Sequence, residues 1–97
     1  MIDVKESVRT ALDYLSNLYD TSGFKDILLE EVELSEDEKR WNVTIGFSRP
    51  VYSDNPIQAA IEKIASGQTK IHYKREYKVF EIAADDGKVR AMKMREV

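Results

Sequence analysis

The stretch KIHYKREYK, residues 70–78, holds the side chains best suited to recognition chemistry. Lys70, Lys74, Arg75 and Lys78 alternate with Tyr73 and Tyr77, and Arg90, Lys93 and Arg95 come later in the chain. Cations interleaved with aromatics on a sheet can hold single-stranded nucleic acid, through phosphate contacts and base stacking. The same cations can meet an acidic protein surface, and lysines on an edge strand also discourage aggregation. A net charge of −3 and a pI near 5.2 favour a protein partner over nucleic acid.

Other chemistry finds less support. Nucleophilic catalysis needs a nucleophile, a base and an orienting group. With no cysteine and one histidine, the base would have to be His72, which is expected on the surface of a strand. A single histidine also cannot build a zinc site without several carboxylates from elsewhere. The acidic stretch EEVELSEDEK, residues 30–39, offers paired carboxylates, and such pairs cleave glycosides only when held at set separations in a cleft. A chain with two short helices has little wall for one, so a solvated connector is expected. Glu36, Asp37 and Glu38 could offer oxygens to calcium, but the EF-hand spacing is absent. No glycine-rich phosphate loop is present. The expectation is a non-enzymatic protein with no catalytic residue, cofactor or metal.

Ninety-seven residues suit one domain, 1–97, with a single modest core. Hydrophobic content of 42% with 34% charged residues is globular rather than disordered composition. MIDVKESVRT lacks the apolar h-region of a secretory signal, and no apolar run approaches the ~20 residues that span a bilayer. A cytoplasmic chain with no membrane partner is expected. Charge is distributed unevenly. Residues 1–40 carry 5 basic and 11 acidic side chains, residues 41–69 carry 2 of each, and residues 70–97 carry 8 and 5. Such polarity either orients a partner, a second copy included, or lets the two ends attract each other within one fold.

Several elements must position these residues. Val4, Val8, Ala11, Leu12, Leu15, Leu18 and Tyr19 recur at three- and four-residue spacing, predicting an amphipathic helix over about 3–20. Asp3 and Glu6 form a capping box, and Gly23 is expected to end the helix in a left-handed conformation. RWNVTIGFS alternates strictly, so Trp41, Val43, Ile45 and Phe47 face one way as a half-buried strand. The preceding KDILLEEVEL pairs with it through SEDEK. Leu34 opposite Trp41 brings Val32 to Val43 and Leu28 to Phe47, and leaves Glu30 opposite Ile45 as one poor pair. Asn55, Pro56 and Gln58 predict the start of a short helix running to about Ser66, with Ile57, Ala60, Ile61 and Ile64 on one side and Gly67 as its stop. Strands over about 70–84 and 88–96 complete a hairpin around Asp85-Asp86-Gly87-Lys88.

That last hairpin changes phase. A two-residue Asp86-Gly87 turn sets Phe80 opposite Lys93 and Ile82 opposite Ala91. Tyr77, Val79, Met92 and Met94 then cluster on one face, and Phe80, Ile82, Ala84, Val89 and Ala91 on the other. A three-residue turn sets Phe80 opposite Met92 instead. Two apolar faces need two covers, or a bulge that turns one cluster round. The first reading expects the tip to pack on something other than the first helix. The short helix with Ile57, Ile61 and Ile64, or a second chain, would supply the cover.

YKVFEIAADDGKVRAMK resembles the terminal hairpin of PepSY and PepSY-like domains, on Tyr77, Val79, Ile82, Asp85, Gly87 and Val89. The resemblance implies a small α+β domain, helix against antiparallel sheet, with inhibitory or partner-binding roles. Cystatin-like folds share the element order by analogy. The expected fold is therefore α+β, an N-terminal helix on a four-stranded antiparallel sheet, in the order α-β-β-(short α)-β-β. The expected function is a protein-interaction module of regulatory or inhibitor-like kind, able to self-associate, with single-stranded nucleic-acid binding as the rival. The expected partner surface combines Lys74, Lys78, Arg90 and Lys93 with Phe80 and Ile82.

Overall fold

The computed structural model describes residues 1–51, 57, 60–61, 64–65 and 72–95. Helix α1 (Val4–Leu18) precedes strands β1 (Lys25–Leu34), β2 (Arg40–Val51), β3 (His72–Ala83) and β4 (Val89–Met94). The strands form one antiparallel sheet in sequential order β1-β2-β3-β4. An N-terminal helix on a four-stranded antiparallel sheet is the expected α+β class.

The helix forms where its local chemistry places it. The Asp3 carboxylate accepts the Glu6 N–H at 2.8 Å, satisfying one of the donors that the first turn leaves open. Ser7, Ala11 and Leu15 recur at intervals of four and are buried against the sheet. The Ser7 hydroxyl is satisfied inside the helix, donating to the Val4 carbonyl at 2.7 Å. Gly23 does not end this helix. Tyr19 closes it in an extended conformation, and Gly23 lies in a separate 3-10 turn, Thr21–Gly23, capped by Asp20.

The core lies between α1 and one face of the sheet. It joins Ala11 and Leu15 to Val43, Ile45 and Phe47 of β2 and to Phe80 and Ile82 of β3. Phe24 stacks on Phe47 at 4.7 Å between centroids, closing the core at the end of the helix. At the other end the Ile2 N–H donates to the Ala84 carbonyl at 2.8 Å, and Trp41 Nε1–H donates to the Ile2 carbonyl at 3.1 Å. The chain start is thereby fastened to both central strands.

Three register shifts bend the strands, two in β1 (between Lys25 and Leu28, and at Glu30) and one in β4, and those at Glu30 and in β4 resolve the sequence conflicts. In β1, Leu34 meets Trp41 and Val32 meets Val43 as expected, but an extra residue at Glu30 shifts the pairing of the strand's first half. Leu29 then faces Ile45, and Leu28 meets Gly46 rather than Phe47. The slip turns Glu30 away from the core, removing the poor pair. In β4 the extra residue is Arg90: Glu81 meets Ala91, yet Ile82 meets Val89.

The terminal turn is longer than two residues. Ala83 and Lys88 close it, the Ala83 N–H donating to the Lys88 carbonyl at 2.9 Å and the Gly87 N–H to the Ala83 carbonyl at 2.9 Å. This turn together with the bulge at Arg90 sets Phe80 opposite Met92, not Lys93. The expected packing of the tip is overturned with it. Phe80 and Ile82 lie fully buried beneath α1, with Val89 and Met92 packed against the same core and the Tyr14 ring edge-on to Phe80 at 6.0 Å. Helix α1 supplies the cover that was expected from the short helix or a second chain.

Gly87 sits in this turn at φ +73°, and a Cβ there would stand 3.2 Å from Ile2 Cγ2. A side chain in the left-handed region costs about 1–2 kcal/mol. Gly87→Ala is therefore expected to lower the melting temperature by several degrees, at ~4–8 °C per kcal/mol for a domain of this size. Unchanged melting would contradict the turn geometry.

Candidate interaction surfaces

The six residues expected to form one partner surface do not come together. Phe80 and Ile82 are core residues with no exposed surface. Lys78 shares their face, opposite Ile45, and is almost wholly buried. Its aliphatic stem covers apolar neighbours, as long cationic side chains do. Lys74 is exposed further along β3, opposite Arg49. Arg90 is the bulged residue of β4, and its Nη2 holds the Asp86 carboxylate at 3.0 Å. Lys93 faces the other way, onto the open side of the sheet.

That open face is polar and laced with ion pairs. Glu81 is held by Lys93 Nζ at 3.0 Å and by Arg40 Nη1 at 3.1 Å. Arg95 reaches Glu31 at 3.2 Å, and Arg75 reaches Glu30 at 2.7 Å. Arg75 also donates to the Asp26 carbonyl, so one guanidinium ties β3 to both bends of β1. Gly46 leaves room for this. A Cβ there would stand 2.6 Å from Glu30 Oε1 and 2.8 Å from Arg75 Nη2. Tyr77 and Val79, two apolar residues of this face, are half-buried beside Arg95 and Lys93 respectively, while Leu28, opposite Gly46 on the same face, is 55% exposed.

The acidic first third and basic last third of the chain thus meet within the fold, at Glu30–Arg75 and Glu31–Arg95. Each of these two arginines is thereby paired with an acid from the first third of the chain.

The hydrogen bond from Lys93, with help from Arg40, holds the Glu81 carboxyl below its ordinary value of 4.5, against the opposing effect of burial. A carboxylate favoured in the folded state adds stability above its unfolded pKa and loses it as pH falls through the lower folded value. Glu81→Gln is expected to cost roughly 1 kcal/mol at neutral pH, given two partly exposed pairs. The deficit should shrink as pH falls below 4.5. A pH-independent difference, monitored by urea denaturation, would refute the ion-pair origin.

Among the described residues, no three His, Cys, Asp or Glu side chains converge as a metal site. Asp37 is engaged in its own turn, accepting from the Ser35 hydroxyl at 2.6 Å and the Lys39 N–H at 3.0 Å. His72 is exposed at the far end of β3, opposite Val51. A cavity of about 610 Å³ lies near the terminal turn, bordered by Met1, Arg40, Ala84 and Arg90, but both arginines are committed to carboxylates. Among the described residues, no helix is long and apolar enough to cross a membrane.

Among the described residues, exposed apolar side chains include those of two further groups. The backbone is helical at residues 57, 60, 61, 64 and 65, and the isoleucines of this stretch are exposed: Ile57 by 72%, Ile61 by 53% and Ile64 by 85%. The expected caps at Asn55, Pro56 and Gln58, and the stop at Gly67, lie outside the described residues. The second surface is a groove beside β1, lined by Val4, Lys5, Val8, Arg9 and Leu29. Sequence reasoning found the isoleucine stripe and offered it, or a second chain, as the cover of the hairpin tip, and it missed the groove. The adjoining apolar residues Ile27-Leu28-Leu29 in an edge strand were its one available signal.

No family model, curated protein or solved structure matches this chain.

Proposed function

We propose that this protein is a non-catalytic interaction module that binds a second copy of itself through the stripe Ile57, Ile61 and Ile64. The exposure of all three isoleucines carries this reading. Apolar side chains at helical spacing are worth about 1.5–3 kcal/mol each when buried, and these three stand largely exposed. A second copy is the favoured occupant because a symmetric pair presents every surface twice, and this chain has another uncovered apolar surface to offer. The ion-paired state of Arg75, Arg90, Lys93 and Arg95 supports a protein partner over single-stranded nucleic acid. The PepSY-like resemblance belongs to the same proposal, and the order of helix and strands supports it.

Hydrogen exchange tests the reading directly. Amides in peptides covering 57–65 should exchange more slowly as protein concentration rises, while peptides from the central strands stay unchanged. Protection at 57–65 that is independent of concentration would overturn it.

A further inference from the structure

We infer that the open face of the sheet carries a binding site for an aliphatic primary ammonium group, formed by Glu33, Asn42 and Thr44. The site is separate from the isoleucine stripe and does not depend on it.

Strand alternation sets its position. Val43 and Ile45 of β2 face the core beneath α1, so Asn42 and Thr44 face the opposite side of the sheet. Across the strands, Asn42 stands between Glu33 of β1 and Glu81 of β3, and Thr44 between Glu31 and Val79. All of these side chains border one cavity of about 420 Å³. Cavities that hold small ligands begin at about 300 Å³.

Thr44 points to a ligand. It is only 3% exposed, although it lies on the face away from α1. Arg95 accounts for much of that burial. From the end of β4 it reaches Glu31 of β1 at 3.2 Å, so the two side chains lie across the strands between them. The Thr44 hydroxyl nevertheless has no hydrogen-bond partner among the described residues. A buried hydroxyl without a partner costs stability, and most in folded proteins are satisfied. Ser7, equally buried, has its partner within α1. At the same cavity the side chains of Asn42 and Glu33 also make no hydrogen bond or ion pair among the described residues. Three neighbouring groups thus offer open oxygen atoms.

Charge and shape choose the ligand. The two cations bordering the cavity are engaged, Lys93 with Glu81 and Arg95 with Glu31. Glu33 remains as the unpaired charge, so the site favours a cation. A metal ion fits poorly, because no three His, Cys, Asp or Glu side chains converge among the described residues. A primary ammonium has three N–H donors, and the Glu33 carboxylate, the Asn42 amide oxygen and the Thr44 hydroxyl oxygen are three acceptors. Hydrogen bonds between a charged donor and a carboxylate are roughly twice as strong as neutral ones. Val79 and Met94 border the same cavity and give the carbon chain an apolar wall. The ammonium can arrive on a free alkylamine or on a lysine side chain of a partner protein, with the same chemistry at the site.

A chemical-shift titration of the full chain with n-butylammonium chloride tests this, at neutral pH and constant ionic strength, with n-butanol and sodium butyrate as controls. Butylammonium should give saturable shifts at the amides of Glu33, Asn42 and Thr44, and the controls should not. Glu33→Gln and Thr44→Val should each weaken binding at least tenfold. Thr44→Val keeps the shape and removes a hydroxyl that has no partner, so it should melt no lower than the wild type. An N-acetylated lysine amide separates the two sources. Tighter binding than butylammonium assigns the group to a protein partner, and weaker binding assigns it to a free amine. Equal shifts with butanol, or no saturation with butylammonium, would leave the cavity to water and overturn the site. A Thr44→Val variant that melts several degrees lower would overturn it as well, because the hydroxyl would then have its partner within the fold.

Discussion

Phe80→Ala is expected to lower the unfolding free energy by about 3–5 kcal/mol. The side chain has no exposed surface and stands in the middle of the core. On one side it faces Val43 of β2, on the other Met92 of β4, and the Tyr14 ring lies edge-on above it. Walls supplied by a helix and three strands cannot all move inward, so most of the vacated volume stays empty. A domain of this kind is stable by only about 5–15 kcal/mol, so the loss is a large fraction of the total. Urea denaturation measures it. A partner-facing Phe80 would instead change stability by less than about 0.5 kcal/mol, as surface substitutions usually do. That smaller result would contradict the packing of the terminal hairpin beneath α1.

Ile61→Asp with Ile64→Asp has the opposite signature. Both positions are exposed in the chain, so unfolding of the monomer should be unchanged within about 0.5 kcal/mol. Association should suffer heavily. Burying each isoleucine is worth about 1.5–3 kcal/mol, so losing two weakens self-association about a hundredfold or more. The introduced carboxylates add a desolvation cost in the same direction. Sedimentation equilibrium reads this. Association equal to that of the wild type would mean that the stripe plays no part.

The contrast between these two sites shows what was legible in the sequence. Elements governed by local chemistry were readable: the Asp3–Glu6 cap, the four-residue recurrence of α1, and the strict alternation from Trp41 to Phe47. The bulges were not. At Glu30 and Arg90 a one-residue slip decides which side chains reach the core, and the slip is set by partners across the sheet. Glu30 opposite Ile45 was a visible conflict, and the structure answers it with a bulge and an arginine from β3. The phase change in the terminal hairpin was the same signal, and there Arg90 is the extra residue that brings Phe80, Ile82, Val89 and Met92 to one face.

Surfaces were harder to read than elements. Helical spacing shows that Ile57, Ile61 and Ile64 share a side, but spacing says nothing of what lies opposite. The basic residues of the last two strands looked like a patch because their acids are distant in sequence. Glu30 and Arg75 are brought within 2.7 Å only by the order of the strands. Lys78 looked available and is enclosed, because its alternation places it on the same face as Phe80. Leu28 looked enclosed, opposite Phe47, and is exposed, because the slip at Glu30 sets it opposite Gly46 instead.

Molar mass in solution, measured by sedimentation equilibrium across a wide range of concentrations, tests the self-association of this chain most directly. The expected result is a rise toward twice the monomer mass of 11.2 kDa. A value fixed at 11.2 kDa at every concentration would contradict it.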